Sequence, residues 1–254
     1  MTTESADTPK IIQVGEGFCV RQEIDNMAWI DLGEYALVVD ALEQPQTRQE
    51  VFAAIKQSIG SKTVRYVLNT HTHYDHVALN AAFQEAYGSE IVNAQTAPLP
   101  AQGRWFEGSR RRVQMLPLPG CHTPEDCIVW APLEGALFTG DIFGWGVIPL
   151  TVNLRADTAQ TLRDSYRRMI ELDPKVVIPG HGPLCTVNEL RRWVDYLDWL
   201  IEQVRREVQA GRKDEEIMQS IPPPADMHSW WRFLKWKHQD SLTKVLKSVR
   251  KGWL

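Results

Sequence analysis

Three of the chain's seven histidines fall within six residues, His71-Thr72-His73-Tyr74-Asp75-His76, directly after the apolar run VRYVLN at 64–69. No other feature restricts the fold as strongly. The run reads as a buried strand, and a rigid sheet lets the loop at a strand's end aim several side chains at one point. In extended chain His71 and His73 point the same way, because side chains alternate with period two. Asp75 and His76 then fall where the chain turns and can address a second ion. Neutral imidazole completed by carboxylate is the donor set of zinc and similar ions. The plain alternative is a solvated, turn-forming histidine cluster.

The flanking sequence supplies strands and helices in two similar halves. Short runs (IIQV, FCVR, MAWIDL, YALVVD) read as antiparallel strands. Residues 46–59 place Val51, Ile55 and Ile59 at helical spacing, and Gly60 stops the helix. A second helix is expected over 77–87, ending at Gly88, followed by the strand EIVNA. RRVQMLPL, CIVWAP and GALFTGD read as further strands, and 158–172 as an amphipathic helix with Leu162, Tyr166, Met169 and Ile170 on one face. KVVIPGHG is a strand running into a turn, and Asn188 is the expected N-cap of a long helix through Ala210. The pattern suggests two sheets flanked by helices, although pattern alone does not choose this over other mixed folds.

Four elements then stand in order: HTHYDH at 71–76, GCHTP at 120–124, FTGD at 138–141 and PGHG at 179–182. Together they resemble the metallo-β-lactamase superfamily over roughly residues 11–210. The resemblance implies an α/β (α+β) fold, the αββα sandwich, with metals at one edge. It implies that His71, His73 and His122 bind one ion, that Asp75, His76 and His181 bind the other, and that Asp141 bridges them. Taken singly, His122 or His181 would read as a surface or packed residue and Asp141 as a turn residue. The expected cofactor is a pair of divalent ions, zinc ahead of manganese or iron.

Two cations sharing a water lower its pKa and provide hydroxide at neutral pH. The expected activity is therefore hydrolysis of an ester, thioester, lactone or related carbonyl compound. Asp75 is the catalytic candidate, orienting the nucleophile and moving its proton. A basic helical C-terminus resembles glyoxalase II, and a lactonase-like subfamily is the equal alternative. A mononuclear-iron persulfide dioxygenase is the oxidoreductase rival, whereas flavodiiron-type sites put Glu where His73 stands. Some positions depart from the family. Leu79 stands where glycine is common, which bears on the local turn and the pocket width. Cys121 replaces the glycine before the third histidine, as a small buried residue or as a thiol activated by a cation. Glu125 and Asp126 replace a Gly-Ser type of step, either to repel anions or to cap the next element. His228 and His238 match nothing in the family.

A chain of 254 residues accommodates one large domain with an appendage, here a tail at 1–10, the domain at 11–210 and a helical extension at 211–254. The net charge of −4 gives no reason to expect nucleic acid as a partner, and a small-molecule substrate is expected instead. Four cysteines without a CxxC pair, no secretory signal and no apolar run of membrane-spanning length point to the cytoplasm. Charge is uneven, since residues 228–254 hold seven Lys/Arg and one acid, with Trp230, Trp231, Phe233, Leu234 and Trp236 clustered among them. The expectation is a docked terminal helix with aromatics inward and cationic stems covering its flanks. A wall of the active site, a contact in a homodimer and peripheral membrane binding are the competing readings.

Overall fold

The computed structural model describes residues 9–96 and 98–254. The tail expected at the N-terminus falls outside the described residues over positions 1–8, and Lys10, assigned to that tail, already begins the first strand. The first half supplies β1 (Lys10–Gly15), β2 (Phe18–Gln22), β3 (Met27–Asp31), β4 (Ala36–Val39), α1 (Arg48–Ile59), β5 (Val64–Leu68), α2 (Asn80–Tyr87) and β6 (Glu90–Val92). The second supplies β7 (Arg104–Glu107), β8 (Arg112–Pro117), β9 (Cys127–Ala131), β10 (Ala136–Gly140), α3 (Ala156–Glu171), β11 (Val176–Pro179) and α4 (Val187–Gln209). After these come α5 (Asp214–Ser220) and α6 (His238–Arg250).

One sheet has the order β1-β2-β3-β4-β5-β6 and the other β11-β10-β9-β8-β7. The first four strands are antiparallel, while β4-β5-β6 and the β10-β11 pair are parallel. Side-chain alternation builds the layers. In β3, Ala28 and Ile30 face the other sheet, while Met27 and Trp29 face Val51, Ile55 and Phe83 of α1 and α2. In β10, Phe138 faces the inter-sheet core, while Leu137 packs on α3 and α4 through Leu162, Trp193 and Leu197. Both faces of the central strands are covered, so β3, β4 and β10 are buried along their whole length. The expected αββα sandwich is the observed one.

Local chemistry sets the helix boundaries. A 3-10 turn at Pro45–Thr47 delays α1 to Arg48, and Gly60 (φ 73°) ends it as expected. The helix expected from residue 77 starts at Asn80, because Tyr74–His76 forms its own 3-10 turn first. Leu79 sits in that connection at φ −91° and is buried, so this turn does not require glycine. Thr186, not Asn188, caps α4: its hydroxyl accepts from Asn188 N (3.2 Å) while Glu189 accepts from Thr186 N (2.9 Å). The short strand β7 carries too few alternating residues to stand out in the sequence.

The C-terminal segment packs on the second sheet's helical layer. Phe233, Leu242, Val245 and Leu246 belong to the same core as Trp193, Tyr196 and Leu197. A turn of π-helix, Phe233–Lys237, leads into α6. Among the described residues no helix is long and apolar enough to cross a membrane. Phe233 is fully buried, and its ring lies where a side chain on Gly146 (φ 92°) would have to sit. Phe233→Ala is expected to cost about 3–5 kcal/mol, read as a lower denaturant midpoint. A midpoint within experimental error of the parent would show that the segment is not part of the folded core.

Candidate metal centre

The ends of β5, β10 and β11 converge with the β8–β9 loop. His71, His73, Asp75 and His76 follow β5, His122 lies in the loop after β8, Asp141 follows β10, and His181 follows β11. All seven residues singled out by sequence meet there. The ligand atoms of His71, His73 and His122 lie within 4.8 Å of one another, as do those of Asp75, His76, Asp141 and His181. Asp141 connects the two groups. Its Oδ2 is 3.6 Å from His122 Nε2, 4.0 Å from His71 Nε2 and 3.3 Å from His181 Nε2, and its Oδ1 is 3.4 Å from His76 Nε2. His181 Nε2 also lies 3.2 Å from Asp75 Oδ2, and His122 Nε2 lies 3.0 Å from His73 Nδ1.

Glycine makes this convergence possible. A Cβ on Gly180 would sit 2.1 Å from Asp141 Oδ1 and 2.9 Å from His76 Cε1. Gly140 (φ 50°) passes equally close to Thr70, where a Cβ would meet Oγ1 at 2.5 Å. The first sheet pins the PGHG turn from its own side. Asn26 Nδ2 donates to Pro179 O (2.8 Å) and Gly182 O (2.7 Å), and Asn26 N donates to Gly180 O (2.8 Å).

Each histidine that faces the cluster through Nε2 has its other nitrogen fixed by a neighbour. His76 Nδ1 donates to Asp40 Oδ2 (2.9 Å), His122 Nδ1 to Pro149 O (2.6 Å) and His181 Nδ1 to Ile24 O (3.0 Å). His71 Nδ1 lies 3.3 Å from Thr70 Oγ1. These contacts set ring orientation and aim Nε2 into the cluster. Asp40 also accepts from Thr70 N (2.8 Å) and Thr70 Oγ1 (2.9 Å), so one buried carboxylate ties the end of β4 to the motif after β5. Sequence reasoning missed Asp40. Its signal was an acid closing the apolar run YALVV, a place where a buried carboxylate needs a partner.

Asp126 holds the loop that carries His122. Its carboxylate accepts from Cys121 N (3.1 Å), His122 N (2.6 Å), Thr123 N (2.9 Å) and Thr123 Oγ1 (2.6 Å). Of its two expected roles, this is the capping one. Glu125 accepts from Thr72 Oγ1 (2.9 Å) and Gln95 Nε2 (2.8 Å). Cys121 is fully buried, and burial pushes its thiol up to about 12, so it serves as a small packing residue. His238 is buried between Tyr196 Oη and Ile221 O, and the exposed His228 bonds Pro223 O.

Burial, reinforced by the charge of His76, pushes His71 down to about 2, which keeps its imidazole neutral. Burial opposes ionisation of Asp141, but His181 and His76 outweigh it and hold the carboxyl well below its usual range. Burial would lower His181 too, yet the charge of Asp141 and bonds to Asp141 and Asp75 raise it to about 10. Among the described residues, buried His71 Nε2, His76 Nε2 and Asp141 Oδ1 have no hydrogen-bond partner. Orphaned buried atoms of this kind are rare. Here they converge with further imidazole and carboxylate donors, and that donor set fits a pair of divalent ions.

Beside the cluster lies a pocket of about 460 Å³, lined by Asp75, His122, Asp141 and His181 on one side and Phe143, Val147, Ile148 and Pro149 along it. The C-terminal segment supplies Trp231, Arg232, Trp236, Lys237, Asp240 and Lys244 to the same lining. The segment is thus docked, as expected, and at the same time walls the site.

A model of the metallo-beta-lactamase superfamily matches residues 21–120 and 102–181, and the chain belongs to that superfamily. A hydroxyacylglutathione hydrolase of Rhodospirillum rubrum is 32% identical over 151 residues, 56% of each chain. Its counterpart in Rhizobium meliloti is 26% identical over 159 residues, 59% of this chain and 60% of that one. The chain thus spans somewhat over half the length of these relatives. Among solved structures, a stereoselective inverting sec-alkylsulfatase from Pseudomonas sp. superposes with a TM-score of 0.68 at 15% identity, covering 94% of this chain and 50% of that one. A metallo-beta-lactamase from Pontibacter korlensis gives 0.61 at 17% identity, covering 75% and 99%.

Asp40→Asn weakens the acceptor behind His76 and is expected to lower affinity for zinc or manganese about 10- to 100-fold. Competition against a chromophoric chelator measures this, and an unchanged affinity would show that Asp40 serves only Thr70.

Proposed function

We propose that this protein is a metal-dependent hydrolase of esters, thioesters, lactones or related carbonyl compounds. The observation that carries the reading is the meeting of two donor groups at one carboxylate, Asp141, around buried nitrogens that have no hydrogen-bond partner among the described residues. His71, His73 and His122 would hold one ion, Asp75, His76 and His181 the other, with Asp141 shared. Zinc is the expected metal, ahead of manganese or iron. When bound, such ions supply Lewis acidity and make a coordinated water acidic enough to react at neutral pH.

The chain's own groups do the rest. Asp75 lines the pocket, and although burial opposes its ionisation, the bond from His181 and the charge of His76 keep its pKa low. It stands where it can orient water and move its proton. Phe143, Val147 and Ile148 offer an apolar surface that positions the body of a small substrate and excludes water from it. The relatives named hydroxyacylglutathione hydrolase support the reaction class, and their thioester chemistry is one form of it.

Completeness of both donor groups favours this reading over a mononuclear-iron oxidoreductase, which needs only a subset of them. Elemental analysis is expected to find about two zinc or manganese ions per chain. A panel of aryl esters, thioesters and lactones is expected to show turnover that a chelator abolishes and added metal restores. Asp75→Asn should lower kcat by about 10²- to 10⁴-fold, with metal content measured alongside. A single iron per chain with oxygen consumption would replace the hydrolase reading by the oxidative one.

A further inference from the structure

Two cations that line the pocket, Lys237 and Arg232, make no ion pair among the described residues. Lys237 is 2% exposed, yet among the described residues no carboxylate lies within 4.0 Å of its ammonium group. Its hydrogen bond is to Gly144 O (2.7 Å), and its Nζ lies 4.2 Å from the centre of the Trp231 ring and 5.6 Å from that of Trp236. Arg232 also stacks on Trp231, its guanidinium 4.4 Å from the ring centre, and makes no ion pair among the described residues. The pocket's acids are otherwise committed. Asp75 and Asp141 face the histidines, Asp240 pairs with Lys244 (2.9 Å), and Glu43 pairs with neither free cation.

A buried ammonium without an anion is costly, and proteins retain one where a ligand completes it. Burial lowers Lys237 to about 7, with Asp141 opposing and Arg232 reinforcing that shift. The backbone around it is also unusual. Arg232 adopts φ 56°, a region a non-glycine residue rarely occupies, and Phe233–Lys237 is a turn of π-helix. Both features concentrate at functional sites, and together they bring Arg232 and Lys237 to the same pocket wall. Trp231 is fixed there by contact with Gly182 (φ 84°), whose Cβ would sit 2.6 Å from its ring, next to His181.

We infer that Lys237, assisted by Arg232, binds an anionic group such as a carboxylate on a substrate whose apolar body lies against Trp231 and Trp236. The preferred substrate is then an amphiphilic ester or thioester that carries its negative charge away from the bond cleaved. This deepens the hydrolase reading and rests on it for the reaction, while the anion subsite rests on the pocket wall alone. Lys237 is a specificity-determining residue in this account, and no reacting atom is assigned to it.

The test uses the metal-loaded full chain and a matched pair of aryl esters, one with a distal carboxylate and the other with the corresponding carboxamide. The parent protein is expected to prefer the carboxylate by roughly 10- to 100-fold in kcat/KM, the range of a hydrogen bond to a charged group. Lys237→Met should collapse that ratio toward one through KM, and Arg232→Gln should reduce it partly. Calorimetry with 4-phenylbutyrate and 4-phenylbutanamide gives a readout independent of turnover, and the carboxylate's advantage should disappear in Lys237→Met. A parent ratio of one with chelator-sensitive hydrolysis of both esters would overturn the anion subsite and leave the hydrolase standing. Lys237-dependent binding of phenylbutyrate without turnover of either ester would do the reverse. Carboxylate binding that survives Lys237→Met would place the anion on the metals and sink the inference. If Lys237→Met does not fold, the parent's ratio and Arg232→Gln still decide.

Discussion

Everything about the site depends on how closely the ends of β10 and β11 approach the end of β5. Asp141 reaches both donor groups only because Gly180 leaves its carboxylate room, and Thr70 can lie against Gly140 only because that position also lacks a side chain. Asn26 locks the arrangement from the first sheet with three hydrogen bonds to the turn that presents His181. The two sheets are thus joined by backbone contacts at the site itself, in addition to the apolar core between them. The donor cluster is held by elements that could not separate without exposing that core.

Polar support around the cluster follows the same logic. Asp40 and Asp126 are buried carboxylates that accept several hydrogen bonds each, one behind His76 and the other beneath His122. Each satisfies backbone groups in an irregular turn where no ladder is available. Their burial is tolerable because those bonds replace water, and in return they fix where two imidazoles point.

The seven donors were legible because chemistry at a strand's end needs few residue types in tight spacing, and a family resemblance tied the distant pieces together. The strands and helices were legible one by one, but their pattern alone fits several mixed folds, and the family resemblance is what selected the αββα layers. Asp40 and Asn26 were not, because a lone acid or amide has many uses and only three-dimensional contact selects one. The cap of α4 was misplaced by two residues, as Thr186 and Asn188 carry equivalent capping chemistry and only the reciprocal bond from Glu189 distinguishes them. The aromatic, basic C-terminus read as a docked helix. Nothing in its spacing told that Trp231 would rest on Gly182, or that the same segment would line the pocket.

That arrangement divides the pocket between two distant stretches of the gene. Donors end at His181, whereas one wall is encoded from Trp231 to Lys244 and meets the apolar stretch Phe143 to Pro149. Drift in the later stretch can reshape what the cavity admits while the earlier stretch keeps its chemistry intact. The shape of the cavity and the identity of its donors are therefore set by parts of the chain that can change independently.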